Sequence, residues 1–267
     1  MKRTWTTYAL ALGLVAALAA GATAQDLTVD EIVKKTNHVS YYQGQDGKAR
    51  VQMTINDGKG GTRDREFIIL RRNRDDKDEE QAFYVFFLQP LDVRQMVFMV
   101  HKHIGKDDDR WLYQREVDVV KRIAASDKRT SFVGSHFFYE DVSGRALDED
   151  THELVEAETD DTFYVLKNTP KNPDTVEFDY FKMWIHRESF IPVKVSYYKG
   201  GEEYRRAEAL EVKEIQGFKT VTRSRMTDLR TGGATELAYS KVEYDTGLPD
   251  EIFTERYLKN PPREHLR

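Results

Sequence analysis

The 267-residue chain contains no cysteine, so no disulfide can hold it and its stability must come from a buried core. It has no basic excess either: 41 Lys and Arg stand against 46 Asp and Glu. Nucleic-acid binding selects for a basic face, so that balance argues against it. No glycine-rich phosphate cradle, P-loop or dinucleotide fingerprint is present, which removes the common nucleotide-binding classes. Beyond the N-terminal region no apolar run approaches the roughly 20 residues that a spanning helix needs. Segments with helical periodicity are few, too few to form a second layer over a large sheet.

The N-terminus has its own pattern. Lys2 and Arg3 are basic, residues 10–20 form a short apolar run, and Ala22-Thr23-Ala24 fits a small-x-small cleavage site. This predicts a secretory signal peptide over 1–24, a mature chain over 25–267 forming a single domain, and a periplasmic location. No cysteine follows the site, so the mature protein is expected to be no lipoprotein itself. Without Lys2 and Arg3 the balance becomes 39 basic against 46 acidic residues, a charge of −7 that gives no general attraction to anionic headgroups.

Residues 27–39 carry the best helix signal, with Thr28 as N-cap, Glu31 as its capping-box partner, and Leu27, Ile32 and Val33 on one side. From Ala49 the period becomes two: Val51, Met53 and Ile55 alternate with Gln52, Thr54 and Asn56. Turn signals at 57–61, 106–109, 170–173, 199–201, 216–217 and 232–233 separate further strand patterns, which indicates a long antiparallel meander. Residues 82–88 are apolar on both faces, as in a central strand. A sheet this extended must curl to cover its apolar face. The expected fold is therefore mainly β: a large curved antiparallel sheet forming an unclosed half-barrel. An N-terminal helix and a short helical or loop lid, 126–142, would fill the concave side. Residues 248–258 predict one or two last helical turns, with Asp250 as a cap, and the charged end after Pro261-Pro262 should be loosely ordered.

Residues 108–142 concentrate rings among charges. Trp111, Tyr113, Phe132, Phe137, Phe138 and Tyr139 are expected at the lid and at the mouth of a cavity. Phe83, Phe86, Met96, Phe98 and Trp184 are expected to line it. Arg110, Arg122 and Arg129 are candidates for contact with a lipid headgroup or a partner's acidic patch. Such an apolar concavity with a few polar groups at its mouth would suit an acyl chain or a polycyclic lipid; an ordinary packed core would use the same residues.

Catalytic signals are sparse. Ser131, Ser135, His136 and Asp141 invite a Ser–His–Asp reading, but Gly134-Ser135-His136 lacks the strand–turn–helix elbow that exposes a nucleophile, and adjacent Ser and His do not aim at each other. His101 and His103 share a strand face, but no third ligand has a suitable spacing, so neither a metal nor a cofactor is expected.

The series Trp111-Leu112-Tyr113, Lys121-Arg122-Ile123, Ser131-Phe132-x-Gly134-Ser135-x-Phe137 and Tyr139-Glu140-Asp141 resembles the signature of the LolA-like outer-membrane lipoprotein-sorting protein family. The leader, the meander and the ending 253–258 extend the likeness over the mature chain. The chain departs from the family's pattern at Gln114-Arg115, where Pro is usual, and at His136, where Asp is usual. The resemblance implies an unclosed β-barrel with a helical lid that carries lipid or lipoprotein acyl chains through the periplasm toward the outer membrane. It implies transient membrane contact and an RND/MMPL-type inner-membrane exporter as partner. The rival expectations are an interaction module with a fully packed core and, more remotely, a hydrolase using Ser135.

Overall fold

The computed structural model describes residues 27–267. The expected signal peptide and its cleavage site lie outside the described residues. Helix α1, Val29–Asn37, begins as its sequence dictates: the Thr28 hydroxyl accepts from the Glu31 amide at 3.3 Å, and Glu31 accepts in return from the Thr28 amide at 2.8 Å. The helix is shorter than expected and runs into a π-helical turn, His38–Tyr42.

Thirteen strands follow. They are β1 Asp46–Asn56, β2 Thr62–Asn73, β3 Gln81–Gln89, β4 Val97–Lys102, β5 Asp109–Gln114, β6 Val119–Ile123 and β7 Asp150–Leu154. Then come β8 Phe163–Pro170, β9 Tyr180–His186, β10 Pro192–Lys199, β11 Glu202–Ile215, β12 Phe218–Asp228 and β13 Gly233–Tyr244. All belong to one antiparallel sheet in the order β6-β5-β4-β3-β2-β1-β13-β12-β11-β10-β9-β8-β7. The meander expectation holds, with one feature that hairpin-by-hairpin reading does not show. Strands β6 and β7 are consecutive in the chain but form opposite edges of the sheet. The connection 124–149 therefore crosses from one edge to the other. It carries the short helix α2, Tyr139–Ser143.

Period-two alternation sorts the two faces. Val51, Met53 and Ile55 of β1, Phe83, Val85 and Phe87 of β3, and Phe98 and Val100 of β4 form the concave core together with Phe132 and Tyr139 from the crossing segment. On the opposite face Leu70, Tyr84, Val97, Met99, Trp111 and Tyr113 pack beneath Leu248, Ile252, Phe253 and Leu258. The C-terminal segment thus covers the convex face of β2–β5, which explains why 82–88 is apolar on both sides. Its entry is fixed by Asp46, whose carboxylate accepts from the amides of Thr246 at 2.8 Å and of Gly247 and Leu248 at 2.9 Å. A 3-10 turn, Asp250–Phe253, precedes helix α3, Arg256–Lys259; Asp250 pairs with Arg74 at 3.1 Å and caps nothing. The expected loose end is partly anchored, since Pro262 is buried and Leu266 packs against the same cluster. Helix α1 lies over the other half of the sheet, with Ile32 and Val33 against Tyr164, Leu166 and Ile185.

Candidate functional site: a cavity under the crossing segment

The concave side has a filled half and an empty half. Over β2–β5 the Phe132 ring is wedged among Phe87, Phe98 and Tyr139, with centroids 5.9, 5.4 and 5.6 Å away. Aromatic pairs at these separations are well packed, so this half is core. Over β1 and β10–β13 several inward side chains are small, and the space beside them reaches Phe67 and Ile69 of β2 and Phe83 and Val85 of β3. Ala49 of β1, Ala207 and Ala209 of β11 and Ser224 of β12 stop short of the crossing segment and leave a cavity of about 390 Å³. Met53, Leu237 and Tyr239 form its floor, and Phe132, Phe137 and Val142 close it from the crossing segment. A second cavity of about 150 Å³ lies beneath α1, against Val33, Leu166, Met183 and Asn168. Ser40, Tyr41, Asp141, Pro192 and Val195 border both, so the two are neighbours around a shared wall. Tyr239 borders the first and Tyr197 the second, and burial pushes the phenol of each up to about 12, so both stay neutral.

The crossing segment is pinned on both sides of the groove. From β2, Arg65 donates to the Val133 carbonyl at 3.2 Å and Arg63 to that of Gly134 at 3.4 Å. From β11, Arg205 donates to the His136 carbonyl at 3.1 Å and pairs with Asp141. From β13, the Thr235 hydroxyl accepts from the His136 amide at 3.0 Å and meets its Nδ1 at 2.8 Å. Glu140 anchors α2. Burial resists its ionisation, but Arg129, Lys128 and Arg145 outweigh that and hold its carboxyl down at about 2. Lys128 stands 3.1 Å and Arg145 3.5 Å from it. The Tyr139-Glu140-Asp141 triplet is thus a packed ring, a buried counter-ion and a cap in succession: Asp141 also accepts from the Phe138 amide at 2.6 Å.

At the mouth, Gln43 donates from one side-chain amide to the Val39 carbonyl and to the Lys219 carbonyl of β12, both at 2.9 Å. Lys48 and Glu243 pair beside it at 3.2 Å. Gln43 therefore bridges the end of the helical turn to the sheet across the opening.

The residues expected at the site divide. Phe132 and Phe137 line the large cavity, and so does Phe83. Tyr139 and Phe98 belong to the filled half, and Met96 packs against it. Phe138 faces Arg205 at 4.0 Å and Arg129 at 5.0 Å, and does not border the cavity. Trp111 and Tyr113 are on the convex face under the C-terminal segment, because β5 turns Arg110 and Leu112 inward instead. Phe86 is on that face too. Trp184 alternates with the inward Met183 and Ile185, and its ring carries Lys194 Nζ at 3.3 Å. The arginines are also redistributed. Arg110 is buried and bound to Asp108 at 2.6 Å, while Arg129 is buried against Glu140 and chelates Glu177 through two 2.6 Å bonds. Neither is free to meet a headgroup. Arg122 is exposed beside Asp109 and Trp111, far from the mouth residues in the sheet order.

Ser135 donates to the Phe137 carbonyl at 3.4 Å and accepts from its amide at 3.2 Å. His136 turns away to Thr235, so the two form no nucleophile–base pair. His101 bonds the Phe253 carbonyl at 2.6 Å and His103 bonds Asp109 at 3.0 Å, separate partners on separate elements. Among the described residues no group of three or more His, Asp and Glu is placed to hold a metal ion, and no helix is long and apolar enough to cross a membrane.

Residues 79–260, more than half of the chain, match a family model described as an uncharacterized protein. A DUF1329 family protein from Desulfovibrio piger is 25% identical with a TM-score of 0.77, covering 86% of this chain and 98% of its own. The chain belongs to the LolA-like family. A Vibrio parahaemolyticus domain named for outer membrane lipoprotein sorting is also 25% identical, with a TM-score of 0.76 over 86% of this chain and 97% of its own. A LolA superfamily protein from Nitrosomonas europaea has a TM-score of 0.67 at 21% identity, covering 87% of this chain and all of its own; it shares the LolA-like fold. No curated protein matches the chain. The signature residues now have positions within the LolA-like sheet: the Ser131–Asp141 part builds the crossing segment, while Trp111 and Tyr113 hold the convex cover.

Proposed function

We propose that the protein is a periplasmic carrier that binds lipid or lipoprotein acyl chains in the concave cavity and moves them toward the outer membrane. The observation that carries this is the cavity of about 390 Å³ left by Ala49, Ala207, Ala209 and Ser224 in a protein that elsewhere packs its rings tightly. A packed interaction module would have no reason to keep small residues opposite a ring-lined strap. Volumes of roughly 300–1,000 Å³ with mostly apolar walls are those of ligand sites. The name of the Vibrio domain, a lipoprotein-sorting protein, supports the same class of cargo. Delivery follows cleavage after Ala24, transient contact with the membrane, and partnership with an RND/MMPL-type exporter. The protein acts as a carrier and not as an enzyme: Ser135 and His136 are engaged in holding the crossing segment. Native mass spectrometry of gently purified protein, before and after delipidation, tests the reading. Bound lipid that is lost on extraction and rebinds is the expected result; an adduct-free protein that takes up no lipid would leave the interaction module standing.

A further inference from the structure

The carrier reading leaves open how many chains the site accommodates, and the geometry bears on that number. An apolar cavity of about 150 Å³ holds one benzene, or six carbons. On that scale the main cavity of about 390 Å³ holds about 16 carbons, and both cavities together about 22. That is one long acyl chain. A triacylated protein anchor carries three.

The volume is also hard to enlarge. The crossing segment is covalently continuous with both edge strands, β6 and β7, so it cannot swing out as a flap with a free end. Its middle is tied to β11 by Arg205 and Asp141, and its helix by the buried carboxylate of Glu140 among three cations. Breaking such buried pairs leaves uncompensated charge out of water, which opposes opening. The other half of the concavity is already occupied by Phe132 and its aromatic neighbours.

We infer that this site takes one single-chain lipid, a free fatty acid or a mono-acyl lipid, and excludes a triacylated lipoprotein anchor. This rests on the carrier reading. The chain enters past Gln43, lies along Ala207, Ala209 and Met53, and leaves its polar head in water at the rim beside Lys48 and Lys219, whose pairs with Glu243 and Glu214 stand at the protein surface and can open to it.

The test uses the delipidated mature protein and two probes, palmitate and a synthetic triacylated lipopeptide, read by native mass spectrometry. The expected result is one palmitate per chain at saturation and no lipopeptide adduct under the same conditions. A one-to-one lipopeptide complex that displaces palmitate overturns the inference and leaves the carrier reading intact. Uptake of neither probe overturns both. Two variants check the location. Ala209→Phe fills the cavity, and Ala207→Leu does so more gently should the larger ring disturb folding. Each is expected to weaken palmitate binding by about tenfold or more, the loss when about two methylenes no longer fit. Unchanged palmitate affinity in a folded variant of either kind would place the chain elsewhere and overturn the inference.

Discussion

Tyr41 and Gly144 are in such close approach that a β-carbon on residue 144 would lie 2.5 Å from the tyrosine Cζ. Gly144 ends α2 with φ +77, and Tyr41 is part of the wall between the two cavities. Glycine is needed there twice, for the left-handed backbone and for the ring's space. Gly144→Ala should therefore cost more than conformational strain, which by itself is about 1–3 kcal/mol. Gly200→Ala is the control, with φ +59 and open space around it. Chemical denaturation of both should show the greater loss for Gly144→Ala; equal losses would mean that Tyr41 moves aside freely.

Glu140 makes stability pH-dependent in a stated direction. Its carboxyl is held at about 2 in the folded protein against an ordinary value of 4.5. Below pH 4.5 the unfolded chain takes up a proton that the folded one refuses, so stability falls as pH drops from 4.5 toward 2. Above 4.5 the contribution is complete. Glu140→Gln should lower stability at pH 7 by about 3 kcal/mol or more, because Lys128, Arg129 and Arg145 lose a buried counter-ion. The difference between wild type and variant should narrow on acidification through that window. Denaturant midpoints at a series of pH values check this, and a difference that stays constant would assign the anchoring to another carboxylate.

The meander, the capped first helix and the ring-rich segment were legible because each is local: alternation, turn residues and a capping box act within a few residues. A cavity is expected from the family resemblance, but the wall that makes its volume is not legible, because it depends on what is small. Ala207 and Ala209 look unremarkable in a strand, and only the β11–β12 register with the crossing segment above them turns two missing side chains into a volume. The face of β5 was not legible either. Trp111 and Tyr113 alternate with Arg110 and Leu112, and the concentration of rings over 108–142 places them with the lid and Arg110 with a headgroup. Asp108 neutralises Arg110 in the interior, and the C-terminal segment supplies the rings with a cover from far along the chain. Arg129 is held inside by Glu140 of its own crossing segment and by Glu177, which is 48 residues on and not legible as its partner from local pattern.

Ser135→Ala and His136→Ala should abolish no ester or amide hydrolysis, since the pair is not aligned for proton transfer. Their effects should instead differ in stability. Ser135→Ala removes the hydroxyl's two long turn bonds with Phe137, at 3.4 and 3.2 Å, a loss of about 1–2 kcal/mol. His136→Ala leaves Thr235 without its ring partner and opens space beside Gly233, where the imidazole now stands 2.5 Å from the position of an added β-carbon. It should be the more destabilising of the two in thermal melts. A hydrolytic activity in the wild type that either change eliminated without unfolding the protein would restore the enzyme reading.

Phe137 and Phe138 are adjacent and half-buried, yet they should respond in opposite ways. Phe137 is part of the cavity wall, whereas Phe138 is sandwiched against the guanidinium groups of Arg205 and Arg129. A ring facing desolvated cations contributes about 2 kcal/mol beyond its burial, so Phe138→Ala should lower the melting temperature of the lipid-free protein markedly. Phe137→Ala removes a ring that faces empty space on one side, and its cost without lipid should be smaller. With lipid present the order changes. Bound ligand stabilises only the state that binds it, so the gain on adding palmitate reports the intact site. That gain should shrink in Phe137→Ala and persist in Phe138→Ala wherever the variant is folded. Melting curves of wild type and both variants, with and without palmitate, separate the two roles. A gain that is equally large in all three would remove Phe137 from the lipid-contacting wall.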